Sequence, residues 1–110
     1  MKSEIKVTVE LDENMVPERL EWQASESELD KGEEVKTVSL AVWDDKEKLA
    51  KRVDLWAKDM MVDDMKIFFY QNMMGLADAY QRATSEQDNA QAIREFANKW
   101  AEDMNVIKKS

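Results

Sequence analysis

The stretch Arg52–Tyr80, RVDLWAKDMMVDDMKIFFYQNMMGLADAY, decides how the chain folds. It opens in alternation, with Val53 and Leu55 on one side of an extended segment and Arg52, Asp54 and Trp56 on the other. A period of two is the signature of a half-buried strand. A few residues later the spacing becomes helical: Val62, Met65, Phe69, Met73, Leu76, Tyr80 and Ala83 recur at three and four. One run therefore predicts a strand, a short switch and the broadest apolar helix stripe in the chain. The core is expected to form on it.

Toward the N-terminus the alternation continues. Ile5, Val7, Val9 and Leu11 oppose Lys6, Thr8 and Glu10, predicting a strand over residues 4–11. Asp12-Glu13-Asn14 supplies turn chemistry, and Pro17 suits the first residue of a strand or an edge. Leu20, Trp22 and Ala24 predict a second strand over 18–24, paired with the first as an antiparallel hairpin. Val38, Leu40 and Val42 set against Thr37, Ser39, Ala41 and Trp43 predict a third strand over 35–43. A polar turn from Asp44 to Lys48 then leads to a fourth over 49–56. Between the hairpins, residues 25–34 (SESELDKGEE) hold five acids and one lysine and read as a solvated loop. They lack the spaced Asp/Asn positions and terminal Glu that a calcium loop needs.

Toward the C-terminus a helix is expected over 62–83, with Asp59, Asp63 and Asp64 around its positive end. A seam of Phe68, Gly75 and Ala79 lies beside the main stripe. Glycine costs about 1 kcal/mol relative to alanine inside a helix, so close packing by another element is the expected reason for Gly75. After a break at Thr84–Asn89, a second helix is expected over 86–104, with Ala90, Ile93, Phe96, Ala97, Trp100, Ala101 and Met104 on one face. Its small residues are expected to meet the Gly75 seam. The expected fold is α+β: a four-stranded antiparallel meander sheet followed by two C-terminal α-helices packed on one face, as one domain over 1–110.

Composition narrows the function. The chain has no cysteine and no histidine, which removes thiolate chemistry, the commonest general base near neutral pH and the commonest transition-metal ligand. A net charge of −8 argues against nucleic acid and anionic lipid as partners. The alternating N-terminus is not a secretory signal, and no apolar run reaches membrane-spanning length, so a cytoplasmic protein without membrane insertion is expected. The acidic pairs Asp12/Glu13, Asp44/Asp45 and Asp63/Asp64 do not converge, because adjacent side chains diverge on strands and helices alike. Two isolated glycines cannot build a phosphate loop. No catalytic, cofactor-binding or metal-ligating residue is expected, and no cofactor; the chain does not read as an enzyme.

Protein binding is the chemistry that remains. Ile67, Tyr70 and Met74 share a third side of the first helix, away from the sheet-facing stripe and from the Gly75 seam, and form one candidate patch. Trp43 and Trp56, with Arg52 on the open face of the sheet, form a second, suited to a sheet-to-sheet homodimer because Trp and Arg are favoured anchors.

The ordered words VELDENMVPERLEWQAS (9–25), DLWAKDM (54–60), VDDMKIFFYQ (62–71), LADAYQRAT (76–84) and REFA (94–97) carry a further signal. In them the chain resembles the GldC family of gliding-motility proteins of the Bacteroidetes type, from about Ser3 to Met104. Two places depart from that pattern: Met61 stands where a capping or turn residue is expected, and segments 28–33 and 44–50 diverge. The resemblance implies a small cytoplasmic accessory protein of the gliding machinery, which is coupled to a dedicated secretion system, and it transfers no catalytic residue. The size, the acidity and the sheet-plus-two-helices plan also fit a small chaperone that holds a secreted or assembling component before export.

Overall fold

The computed structural model describes residues 1–25 and 31–108, which form two compact units, Met1–Met60 and Met61–Ser110. The regular elements of the first unit, among the described residues, are β-strands. Strand β1 (Ile5–Leu11) pairs antiparallel with β2 (Pro17–Ala24) from Ile5↔Ala24 to Leu11↔Pro17, with a bulge between Glu10 and Leu11. Pro17 opens β2, a position where its missing N–H leaves the ladder intact. The turn before it is built by Asp12, whose Oδ1 accepts the N–H of Asn14 (2.8 Å) and of Val16 (3.0 Å), while Met15 takes a left-handed backbone.

The third strand departs from expectation. It is two strands, β3 (Glu33–Val35) and β4 (Thr37–Asp44), separated at Lys36. β3 pairs with β2 through Leu20↔Val35, Glu21↔Glu34 and Trp22↔Glu33. β4 pairs over its whole length with β5 (Leu49–Trp56), from Thr37↔Trp56 to Asp44↔Leu49. Among the described residues there are therefore five strands in two antiparallel sheets, ordered β1-β2-β3 and β4-β5, in place of one four-stranded meander. Lys36 marks the break: its carbonyl accepts the N–H of Ala57 (2.8 Å), and its Nζ pairs with Asp59 (3.0 Å). The sequence carries the reason. Val35 sits at an odd position and Val38, Leu40 and Val42 at even ones, so the apolar phase flips at Lys36. One continuous strand would send Val35 and Val38 to opposite faces.

Leu20 of β2 is the largest fully buried side chain, and Ala57, just after β5, is buried too. The polar face of the three-stranded sheet is tied by Arg19, whose guanidinium reaches Glu21 (3.2 Å), Glu34 (3.5 Å) and Glu10 (3.7 Å) on all three strands. Gly32 takes a positive φ of 84°, and a Cβ there would collide with the Glu21 carboxylate. Glu33 and Glu34, expected in a loop, are strand residues; residues 26–30 of that acidic stretch, with its solvated-loop and calcium-loop readings, lie outside the described residues.

The second unit is an antiparallel helical hairpin of α1 (Val62–Thr84) and α2 (Gln87–Asp103). Asp63 and Asp64 occupy the first turn of α1, where carboxylates oppose the helix dipole favourably. Met61 is the N-cap residue and has no side-chain cap hydrogen bond, so the position that departs from the family pattern is also an unfilled cap. Ser85 closes α1 in a left-handed conformation, its N–H donating to the Gln81 carbonyl.

Candidate protein-interaction surfaces

Alanine fixes how the two helices approach. Ala77 of α1 and Ala90, Ala97 and Ala101 of α2 are fully buried, and side chains this small let helix backbones come close. Polar contacts flank the alanine seam. Tyr70 donates its hydroxyl to Asn98 Oδ1 (2.7 Å), and Arg94 donates to Asp78 and Gln81 (2.8 Å each). At the closed end Tyr80 and Asn89 both donate to the Glu86 carboxylate, and these two hydrogen bonds hold Glu86 below its ordinary pKa.

These contacts reverse the expected use of the α1 faces. The side carrying Tyr70 and Met74, read as lacking an internal partner, is the side that meets α2: Tyr70 is half-buried and bonded to Asn98, and Met74 is half-buried. Ile67 remains exposed and borders a groove with Lys66, Met104, Asn105 and Val106. The Phe68–Gly75–Ala79 seam does not receive α2. Gly75 is exposed, and a Cβ built on it meets nothing within 4 Å.

The main apolar stripe of α1 is bare at four of its seven positions, three large residues and Ala83. Val62, Phe69 and Leu76 are exposed, Leu76 by 55%, and they lie roughly 100° around the helix from the row Tyr70, Met74, Ala77 and Gln81. On α2, Phe96 falls on the same side of the antiparallel pair and is 63% exposed, although it was expected inside with the alanines. The buried set Ala90, Ala97 and Ala101, at spacings of seven and four, was the available signal. Reading by hydrophobicity favours the large residue, whereas close helix approach favours the small one.

In the other unit, the second set of candidates does share a face. Trp56, Asp54, Arg52 and Ala50 of β5 lie opposite Thr37, Ser39, Ala41 and Trp43 of β4. Trp43 is 62% exposed and Trp56 54%. They stand six positions apart along the hairpin, roughly 20 Å, so they are two separate anchors with Arg52 between them. Arg52 is occupied by Asp54 through Nε and Nη2, at 2.9 Å each, and Ser39 donates to the same carboxylate at 2.7 Å. The guanidinium and the hydroxyl hold the Asp54 pKa down to about 2. The charge of Arg52 is thus cancelled locally, which leaves this face amphipathic and nearly neutral.

The acidic pairs are accounted for by local structure. Asp44 Oδ1 accepts the N–H of Lys46 (3.0 Å) and of Glu47 (3.1 Å), and its other oxygen pairs with Lys51 (2.8 Å). Asp12 builds its turn and pairs with Lys58 (3.0 Å). Both carboxyls lie below the usual Asp range: turn N–H groups weigh most for Asp12 and the Lys51 ammonium for Asp44. Among the described residues no three Asp, Glu, His or Cys side chains are grouped so as to hold a metal ion. No described helix is long and apolar enough to cross a membrane.

No curated protein and no solved structure matches the chain. Residues 17–106 match the family model described as gliding motility-associated protein GldC-like, which takes in everything from the first residue of β2 through both helices. The chain belongs to the GldC-like family of gliding motility-associated proteins.

Proposed function

We propose that this protein is a non-enzymatic, cytoplasmic accessory component of the gliding machinery that acts by binding another protein. The observation that carries this reading is the bare apolar flank of the helical hairpin, Val62, Phe69 and Leu76 of α1 with Phe96 of α2. Contiguous exposed apolar surface of this kind marks protein interfaces, and large aromatic side chains supply most of the energy there. Ile67 is exposed on another side of α1, roughly 160° around the helix from Phe69, and Trp43, Arg52 and Trp56 offer a second surface on the other unit.

Affinity purification of the tagged chain from its native cell tests this. The expected result is enrichment of a gliding component by the wild-type chain and its loss from the Phe69→Ser, Leu76→Lys variant, with helical circular dichroism retained. Enrichment unchanged by the variant removes the flank from the proposal, and failure to enrich any gliding component removes the accessory role. The same bare flank suits a chaperone for an exported component, since a holdase needs exposed apolar surface. Deleting the gene and measuring secreted proteins separates the two: impaired spreading with normal secretion favours the accessory role, and depleted secretion favours the chaperone.

A further inference from the structure

The two edges of the β4–β5 sheet are built differently. β5 (LAKRVDLW) carries Lys51, Arg52 and Asp54 along its length, the charges that natural edge strands use to resist pairing. β4 (TVSLAVWD) has no proline, no lysine, no arginine and no glutamate, and its only charge is Asp44 at the very end. Among the described residues no strand lies on the side of β4 away from β5, and Leu40, Ala41, Val42 and Trp43 are all exposed. A long edge without proline or basic residues, charged only at its end, is the kind that pairs with another chain.

Two further features point to the same occupant. A two-stranded sheet is marginal by itself, and three or more strands are needed for independent stability. The face formed by Val38, Leu40 and Val42 with Leu49, Val53 and Leu55 is apolar apart from the Lys51–Asp44 ion pair at its hairpin end and, at Leu40 (51%) and Val42 (53%), open. The hairpin is also the neutral part of an acidic chain. Asp44, Asp45, Glu47 and Asp54 are matched by Lys46, Lys48, Lys51 and Arg52, so residues 37–56 carry none of the net charge of −8. Two copies of the chain repel elsewhere and do not repel here.

We propose that β4 pairs antiparallel with β4 of a second copy about a two-fold axis, giving one four-stranded sheet in the order β5-β4-β4-β5. A strand paired antiparallel with itself is self-complementary, as an isologous dimer requires. Keeping both apolar rows on one face restricts the register to pairs of like parity: Leu40 opposite Leu40, or Ala41 opposite Ala41 with Leu40 opposite Val42. This inference concerns the chain alone and does not depend on the gliding role.

Sedimentation equilibrium of the purified chain is expected to give twice 12.9 kDa. Val42→Lys is expected to weaken the dimer at least about tenfold by putting a charge, next to Lys51 of its own hairpin, into the apolar row of the pairing edge. Because the chain has no cysteine, single introductions report the register. Under mild oxidation Leu40→Cys or Ala41→Cys should cross-link to a dimer, whereas Thr37→Cys, roughly 20 Å from its own copy, should not. A monomer at every concentration overturns the proposal. So does a dimer that Val42→Lys leaves intact, or one that cross-links at neither Leu40→Cys nor Ala41→Cys.

Discussion

The two sheets of Met1–Met60 are made from similar residues and do very different things with them. In β1-β2-β3 the central strand has a neighbour on each side, and Leu20 at its middle is fully buried. In β4-β5 neither strand is central, and Leu40, Val42, Leu49 and Val53 all remain exposed. Alternation places an apolar residue on the correct face in both. Only a strand flanked on both sides lets such a residue lose its contact with water. The break at Lys36 produces this inequality, because it gives β3 to one sheet and β4 to the other.

The contrast is sharpest in stability. Leu20→Ala should lower the unfolding free energy by about 2–5 kcal/mol, the range for large-to-small changes at buried sites. Val53→Ala, on the open face of the smaller sheet, should cost less than about 1 kcal/mol. Urea titrations of both variants check this, and equal losses would mean that the face of β4-β5 is covered in solution.

The helical hairpin extends the same comparison from strands to helices. Ala97→Leu adds volume to a closed seam and should cost about 1–3 kcal/mol in a thermal or urea melt. Gly75→Ala puts a methyl group into open space at a helical position, and it should raise stability by about 0.5–1 kcal/mol. A loss of stability at Gly75 would show that another surface packs against that seam after all.

The smallest expected effect is electrostatic. The Asp54 carboxyl is depressed to about 2 from an ordinary 3.8 by the Arg52 guanidinium and the Ser39 hydroxyl. A depressed folded-state pKa contributes stability that is fully present above the unfolded value and is lost as pH falls through the folded one. The window therefore runs from about 3.8 down to about 2. The group is exposed, so the effect should be slight. Carboxyl-carbon NMR of Asp54 should show the low midpoint, and Arg52→Ala should move it back up. A normal midpoint in the wild-type chain would mean that the pair does not persist in solution.

Much of this molecule was legible in its sequence, and the misreadings share one cause. The strands ending at Leu11, Ala24 and Trp56 and the helices beginning near Val62 and Gln87 follow from local periodicity, which requires only that one side of each element be drier than the other. The ordered words that carry the family resemblance are local as well. What periodicity could not settle was the choice of neighbour. Tyr70 and Met74 look peripheral on a helical wheel, yet α2 lies on them, because Ala77, Ala90, Ala97 and Ala101 allow close approach along that line. Phe69, Leu76 and Phe96 look like core, yet they are bare, because their bulk holds a helix at a distance. Val35 and Val38 look like one strand and belong to two sheets, because a one-residue change of phase at Lys36 cannot be carried across a flat ladder. The sequence alone determined the kind and place of nearly every element, since those depend on neighbours three or four residues away. The tertiary structure decided which faces meet, since that depends on how closely two backbones can approach.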